Sequence, residues 1–140
     1  MRRHIVPGAL VAAALLLGVV ITGRAASQGD DDGWQIPVDA GREVNPIVVS
    51  DKVIAKGRDL FKSKCQHCHG VTGKGDGPDA DPKHKPGDLT DSKRASRNPD
   101  GVMFYKVWNG RKDPKMPAFK SEISREDVWT VILYARTLRQ

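Results

Sequence analysis

The sequence contains only two cysteines, Cys65 and Cys68. Because they stand three positions apart and no third cysteine exists, no disulfide can join distant parts of the chain. A structural zinc site usually takes four ligands from two separated pairs. With no second C-x-x-C pair, a zinc site here would have to use His67, His69 and His84, which is a poor match to that pattern.

Aromatic residues are also scarce, at 6% of the 140 residues, and the hydrophobic content is 39%. This length and composition allow one modest domain, besides whatever the two ends of the chain do. A core this small needs additional stabilisation, which a covalently attached group would supply.

The two cysteines belong to a C-x-x-C-H run at residues 65–69, the attachment signature of a c-type haem. Two thiols at this spacing can each form a thioether to one edge of a porphyrin, and the next residue places an imidazole under the iron. Cys65 and Cys68 would hold the ring, and His69 the iron. A thioredoxin-like redox pair would instead follow a strand, whereas the residues before Cys65 have helical spacing; a local disulfide is the remaining alternative.

Residues 1–24 are predicted to be a targeting segment. Arg2, Arg3 and His4 precede an uncharged, almost wholly apolar stretch over residues 5–22, which indicates export. Its 18 residues exceed a usual signal-peptide core of about 7–15 and just reach the length of a membrane helix. Both a cleaved signal peptide and a retained membrane anchor therefore remain open.

Residues 25–49 are predicted to be an acidic linker that is rich in Pro and Gly. A flexible linker of this length would reach about 25–30 Å. Trp34, Ile36 and Val38 alternate with polar or Pro residues and could dock on the domain as a short extended stretch.

Residues 50–140 are predicted to form the main domain, starting with a helix from Asp51 to about Cys65 that Ser50 caps. Its apolar residues recur at helical spacing and predict one buried face. Gly57 lies in that face, where it costs about 1 kcal/mol relative to Ala. We expect it to allow another helix to approach closely.

Two further helices are predicted downstream, and a long loop precedes them. One runs from Pro99 to Asn109 after Asn98, with Gly110 at its end. The other starts after Ser124, which pairs with Asp127 as an N-terminal cap, and runs to about Leu138. Residues 70–95 are rich in Gly and Pro and predict a loop that lies against the haem edge, with three lysines around the site: Lys74, Lys83 and Lys85. We interpret His84 as a solvated loop residue.

Two of the methionines have different predicted roles. Met103 lies on the apolar stripe of the second helix with Phe104, Val107 and Trp108, so we predict a core position. Met116 lies outside any helical pattern, between Pro114 and Pro117. Because a thioether is a soft ligand that suits haem iron, Met116 is a candidate iron ligand.

Over about residues 50–140 the sequence resembles the class I monohaem c-type cytochromes. The resemblance consists of the helix that leads into the C-x-x-C-H run, the loop at residues 73–78, the segment at residues 115–119 and a closing aromatic helix. It implies an all-α fold with three to four helices around one covalently attached haem c, preceded in this chain by the N-terminal membrane or signal helix.

The resemblance also implies roles for individual residues. Met116, in a Met-Pro pair, matches the sixth iron ligand, and His69 matches the fifth. A proline carbonyl in the loop would accept a hydrogen bond from His69, with Pro86 the first choice and Pro82 the second. Gly57 matches the position at which the first helix crosses the last one.

The function that these features predict is electron transfer by a single haem, without a small-molecule substrate and without enzymatic activity of its own. Residues 50–140 carry 19 Lys and Arg against 12 Asp and Glu, a net charge of +7. Since an exported protein does not normally meet nucleic acid, we expect a redox partner protein with an acidic surface. The expected location is the outer side of the bacterial cytoplasmic membrane, or the soluble periplasm if the segment is cleaved.

Three alternatives to a free carrier remain: a haem subunit of a larger membrane oxidoreductase complex, a small peroxidase and a haem-based sensor. A bacterial two-haem peroxidase would show a second C-x-x-C-H run, which this sequence lacks. A sensor requires that Met116 does not bind the iron.

Overall fold

The computed structural model describes residues 27–29 and 33–139. The predicted targeting segment, residues 1–24, lies outside the described residues. Within the described ranges, no helix is both long enough and apolar enough to cross a membrane. The described part contains five α-helices, a short antiparallel ribbon and one 3-10 turn. In chain order these elements are β1 (Ser27–Gly29), β2 (Gln35–Pro37), the 3-10 turn (Ala40–Arg42), α1 (Asp51–Lys64), α2 (Gln66–His69), α3 (Ser92–Arg97), α4 (Asp100–Asn109) and α5 (Arg125–Thr137).

The caps predicted for α1 and α5 are both formed, and both helices are confirmed. The Val53 backbone N–H donates to Ser50 Oγ over 3.3 Å at the start of α1. The Asp127 backbone N–H donates to Ser124 Oγ over 3.1 Å at the start of α5. Each bond satisfies one of the amides that a helix N-terminus leaves unpaired.

Helix α4 is also confirmed, with Pro99 as the residue before its first turn and Gly110 ending it at a φ of 58°. Helix α3 was not predicted, because residues 70–95 were interpreted as one loop. Asp91 caps α3 by accepting hydrogen bonds from the backbone N–H groups of Lys93 and Arg94. Its six residues, SKRASR, carry no apolar stripe that would have revealed a helix.

The first and last helices of the domain pack directly on each other. A Cβ placed on Gly57 would lie 2.7 Å from the Thr130 carbonyl oxygen and 2.8 Å from Tyr134 Cβ, so only glycine permits this separation. One turn on, the rings of Phe61 and Tyr134 meet at a centroid distance of 5.4 Å. The close approach expected at Gly57 is therefore present between α1 and α5.

Two apolar clusters form the core of the described residues. The larger one joins α4 to α5 and contains Phe104, Val128, Trp129 and Ile132. The smaller one contains Trp34, Ile36 and Val102. The extended stretch at residues 34–36 thus docks on the domain, as the alternation of its residues indicated, while Val38 stays 36% exposed.

Candidate haem site

A cavity of about 330 Å³ lies between α1, α4, α5 and the loops that follow His69 and Gly110. Three of the four residues predicted for the site line it: Cys65, His69 and Met116. Cys68 lies outside the cavity wall, is half-buried, and has its Sγ 3.9 Å from the Asp79 carbonyl oxygen. The fold therefore brings together residues that are up to 51 positions apart in sequence.

Both cysteines and His69 are placed by α2 and the turn before it. The backbone N–H groups of Cys68 and His69 donate to the Cys65 carbonyl over 3.2 and 2.9 Å. Burial, and to a lesser extent the neighbouring Cys68, raises the pKa of the Cys65 thiol to about 12. The free thiol is therefore protonated at neutral pH.

The loop after α2 folds back and fixes the backbone of His69. The Gly75 backbone N–H donates to the His69 carbonyl over 2.8 Å. Gly75 adopts a φ of +75°, and a Cβ there would collide with the Pro86 carbonyl oxygen. Glycine at position 75 thus allows residues 86–87 to close over the imidazole side of the cavity.

The His69 ring is largely shielded from solvent, which favours its neutral form. Burial lowers its pKa, the Gly87 backbone opposes that shift, and the Arg94 charge adds to it. The buried Nδ1 makes no hydrogen bond to any described residue. The predicted bond to the Pro86 carbonyl is therefore absent among the described residues, and the backbone group that acts on the imidazole is that of Gly87.

The residues around this cavity suit a haem. The cavity presents the largely shielded imidazole of His69; a metal-bound imidazole donates its other ring N–H to a nearby acceptor, and the Gly87 backbone lies beside this ring. The wall combines apolar side chains with cations, and a haem combines an apolar ring with two carboxylates. The apolar residues include Phe61, Leu89, Val107, Val131 and Ile132, and the cations include Arg94, Lys106, Arg111 and Arg136.

Met116 is held by a short hairpin after α4. The Arg111 backbone N–H donates to the Met116 carbonyl, and the Met116 N–H donates to the Arg111 carbonyl, each over 2.9 Å. Arg111 Nε also donates to the Pro114 carbonyl over 2.8 Å. The hairpin fixes the backbone from which the Met116 thioether projects.

Met103 has the core contacts predicted for it, since it packs against the cluster of Phe104 and Trp129. Met103 lines the cavity as well, so two thioethers are available in the wall.

His84 also lines the cavity, although it is exposed and its Nδ1 lies 3.2 Å from Asp81 Oδ2. Of the three lysines predicted around the site, Lys85 lines the cavity.

Sequence reasoning did not assign Lys106 and Arg111 to the site. Both flank the ring of Trp34, and all three residues line the cavity. No local pattern connects position 34 with positions 106 and 111. The described residues contain no cluster of three or more His, Cys, Asp or Glu side chains suited to a metal ion.

Comparison with known proteins settles the family. The sequence model of the family described as Cytochrome c matches residues 54–139, which is more than half of the chain. The chain belongs to the cytochrome c family. Cytochromes of this kind carry a covalently bound haem c with iron, and Cys65 and Cys68 of this cytochrome fit the attachment motif.

Solved structures share the fold. The KustC0563 c-type cytochrome is 23% identical at a TM-score of 0.54, over 60% of this chain and 98% of that one. A chain of the Kuenenia stuttgartiensis reducing HAO-like protein complex Kustc0457/Kustc0458 is 30% identical at a TM-score of 0.59, over 76% of this chain and 51% of that one. Cytochrome CL from Methylophaga aminisulfidivorans is 15% identical at a TM-score of 0.51, over 74% of this chain and 59% of that one.

This cytochrome thus spans about half of the chain from the HAO-like complex and about three fifths of cytochrome CL. No curated protein matches it by sequence. The family and its cofactor support electron transfer through haem as the general role.

Proposed function

We propose that this cytochrome carries single electrons on one haem, attached through Cys65 and Cys68, with His69 and Met116 as the two axial ligands of the iron. The observation that supports this most is that Cys65, His69 and Met116 line one cavity although they come from the end of α1, from α2 and from a distant hairpin. When bound, the haem supplies a one-electron couple between Fe(II) and Fe(III).

The protein's contribution is to present two ligands and keep them in place. Burial lowers the pKa of the His69 imidazole, which favours the neutral form that binds iron without first losing a proton. Met116 offers a soft thioether, a ligand type that raises the reduction potential of haem iron. If His69 and Met116 hold the iron together, its coordination would stay the same in the two redox states and no position would remain open to oxygen species.

Met116 is the ligand we assign, but Met103 also lines the cavity and provides the test. Met116→Ala should abolish the weak far-red absorption band that sulfur-to-iron coordination gives the oxidised protein, and should lower the potential. Met103→Ala is the matched control, because it removes the other thioether of the same wall, and it should keep the band. The reverse result would transfer the ligand role to Met103. Absence of the band from the wild-type protein itself would show that no methionine binds the iron and would favour a sensor with a labile sixth position.

The electron would leave through the exposed haem edge near the attached cysteines. Lys74, Lys83 and Lys85 are exposed in the loop that follows them, and the net charge of +7 over residues 50–140 favours an acidic partner surface. No small-molecule substrate and no nucleic acid is required for this role.

A second candidate is that the cytochrome works as a haem subunit of a larger redox complex. The likeness to a chain of the reducing HAO-like complex, at 30% identity, favours it. Mild crosslinking of native membranes followed by co-purification distinguishes the two. A stable stoichiometric partner would identify a subunit, and a salt-labile encounter partner would identify a carrier.

We also propose that the protein works outside the cytoplasmic membrane, anchored by residues 5–22 with Arg2 and Arg3 on the cytoplasmic side. The intact mass of the native haem-bearing chain tests this. A membrane-bound chain that includes residues 1–24 is expected. A soluble chain that starts near Ala26 or Gln28 would identify a periplasmic protein with a cleaved signal peptide.

A further inference from the structure

Trp34 precedes the region that the cytochrome c family model matches, residues 54–139, and yet it belongs to the haem cavity. Its side chain and that of Ile36 are only 7% and 4% exposed, and with Val102 they form the smaller core cluster. Met116 packs against this cluster. A segment outside the shared domain thus reaches the residue that we assign as the sixth ligand.

The indole of Trp34 faces two cations from different elements. The guanidinium carbon of Arg111 lies 4.5 Å from the ring centroid, and Lys106 Nζ lies 5.2 Å from it. Lys106 belongs to α4, is itself buried, and donates to Asn98 Oδ1 over 2.6 Å. Tryptophan is the best aromatic partner for a cation, and the attraction grows when water is excluded. The ring therefore joins α4 to the base of the Met116 hairpin.

Arg111 connects the Trp34 ring to Met116. The two residues exchange both backbone hydrogen bonds, and the Arg111 side chain also holds the Pro114 carbonyl. A methionine side chain has three rotatable bonds and adapts to its surroundings. The position of its sulfur therefore depends on where the backbone of residue 116 is fixed, and the Trp34–Arg111 contact helps to fix it.

We propose that Trp34 is a positioning residue for Met116, and that residues 33–42 form a strap that keeps the hairpin closed on the haem. This inference rests on the proposed function, in which Met116 is the sixth ligand. Ile36 fastens the strap to Val102, and Trp34 fastens the hairpin to the strap through Arg111.

Exogenous imidazole, which competes with Met116 for the iron, measures how firmly the sulfur is held. Full-length oxidised holoprotein would be titrated with imidazole by absorption. Trp34→Leu, which keeps an apolar side chain but removes the aromatic face, should bind imidazole about tenfold more tightly and weaken the far-red band. Trp34→Phe retains a ring and should fall closer to wild type.

Val128→Ala is the matched control, because it removes buried apolar area from the larger core cluster, away from the strap and the cation contacts. It should lower the Tm while leaving the imidazole affinity at wild-type level. If Trp34→Leu also lowers the Tm but leaves the imidazole affinity unchanged, Trp34 has only a structural role and the inference is overturned.

A double-mutant cycle tests the route through Arg111. If Trp34 acts through this residue, Trp34→Leu should add little to the imidazole affinity of Arg111→Gln, because the contact is already lost. Fully additive effects would overturn the proposed route. Retention of the far-red band by Met116→Ala would overturn the ligand assignment itself, whereas normal imidazole affinity of Trp34→Leu with Met116 still bound overturns only the positioning role.

Discussion

Gly57 of α1 lies directly against the Thr130 carbonyl of α5, at a separation that leaves no room for a side chain. Gly57→Ala would improve helix propensity by about 1 kcal/mol, but the added methyl group would force the two helices apart. Overpacking of this kind costs about 1–3 kcal/mol, so we expect a net loss of up to about 2 kcal/mol in urea unfolding of the holoprotein.

Ala55 is exposed on the same helix, so its substitution by glycine measures the effect of helix propensity without a packing change. Ala55→Gly should cost about 1 kcal/mol through backbone entropy alone. A Gly57→Ala protein as stable as wild type would show that the α1–α5 contact can relax without cost.

Substitution of either cysteine should reduce covalent retention of haem, whereas substitution of a neighbouring residue should not. Cys65→Ala or Cys68→Ala should each reduce the haem that stays on the protein after acid-acetone extraction, because one thioether is lost. The double variant should carry no haem and remain unfolded, since the haem would fill the cavity between three helices. Ser63→Ala, at an exposed position of α1, serves as the control and should keep all of its haem. A folded, haem-retaining double variant would contradict covalent attachment at these residues.

The ion pair between Lys56 and Asp127 should make stability depend on pH. Lys56 Nζ lies 2.6 Å from Asp127 Oδ1, and the hydrogen bond from Lys56 is the main reason that the pKa of Asp127 is lowered. A lowered pKa means that the pair stabilises the fold above the ordinary aspartate pKa of about 3.9, and that this contribution is lost as the pH falls through the folded-state value. Because the lysine is half exposed, Lys56→Gln should cost only about 0.5 kcal/mol at pH 7.

Urea unfolding of the Lys56→Gln variant and of the wild type at several pH values tests whether the ion pair makes stability depend on pH. The difference between the two should shrink below about pH 4, and Lys52→Gln, on the exposed face of the same helix, should show no such change. A difference that stays constant to low pH would have to come from a cause other than the pair.

Electron exchange with an acidic partner should slow as salt increases, because exposed lysines near the haem steer the encounter and ions screen that attraction. We expect the second-order rate to fall at least about tenfold between roughly 10 and 500 mM salt. Replacing Lys74 and Lys85 by Gln should flatten this dependence, and reduction by a small uncharged reductant should not depend on salt. A flat profile with the acidic partner would assign the positive charge to solubility alone.

The features that could be predicted from the sequence are those with a local cause. Ser50 and Ser124 cap the helices that follow them, and the apolar stripe of α5 becomes its buried face, because capping and helical periodicity depend only on neighbouring residues. The C-x-x-C-H run likewise indicates haem attachment from five consecutive residues.

The features that could not be predicted depend on contacts between distant positions. Helix α3 is short and polar, so only its Asp91 cap could have indicated it. The Pro86 carbonyl approaches Gly75 too closely for any side chain there, and the Trp34 ring lies against Lys106 and Arg111. In each case the partner is brought close by the fold and carries no signature in the neighbouring sequence.

The β1–β2 ribbon shortens the free linker between the predicted membrane segment and the haem domain. Pairing of β1 with β2 begins at Ser27, so only residues 23–26 remain between the predicted membrane segment and the ribbon. Even a fully extended chain spans at most about 18 Å from residue 22 to residue 27, less than the 25–30 Å expected for a flexible linker over residues 25–49. If the segment is retained, the haem domain rests beside the membrane surface, and electron exchange favours partners whose docking faces lie at the same height above the bilayer.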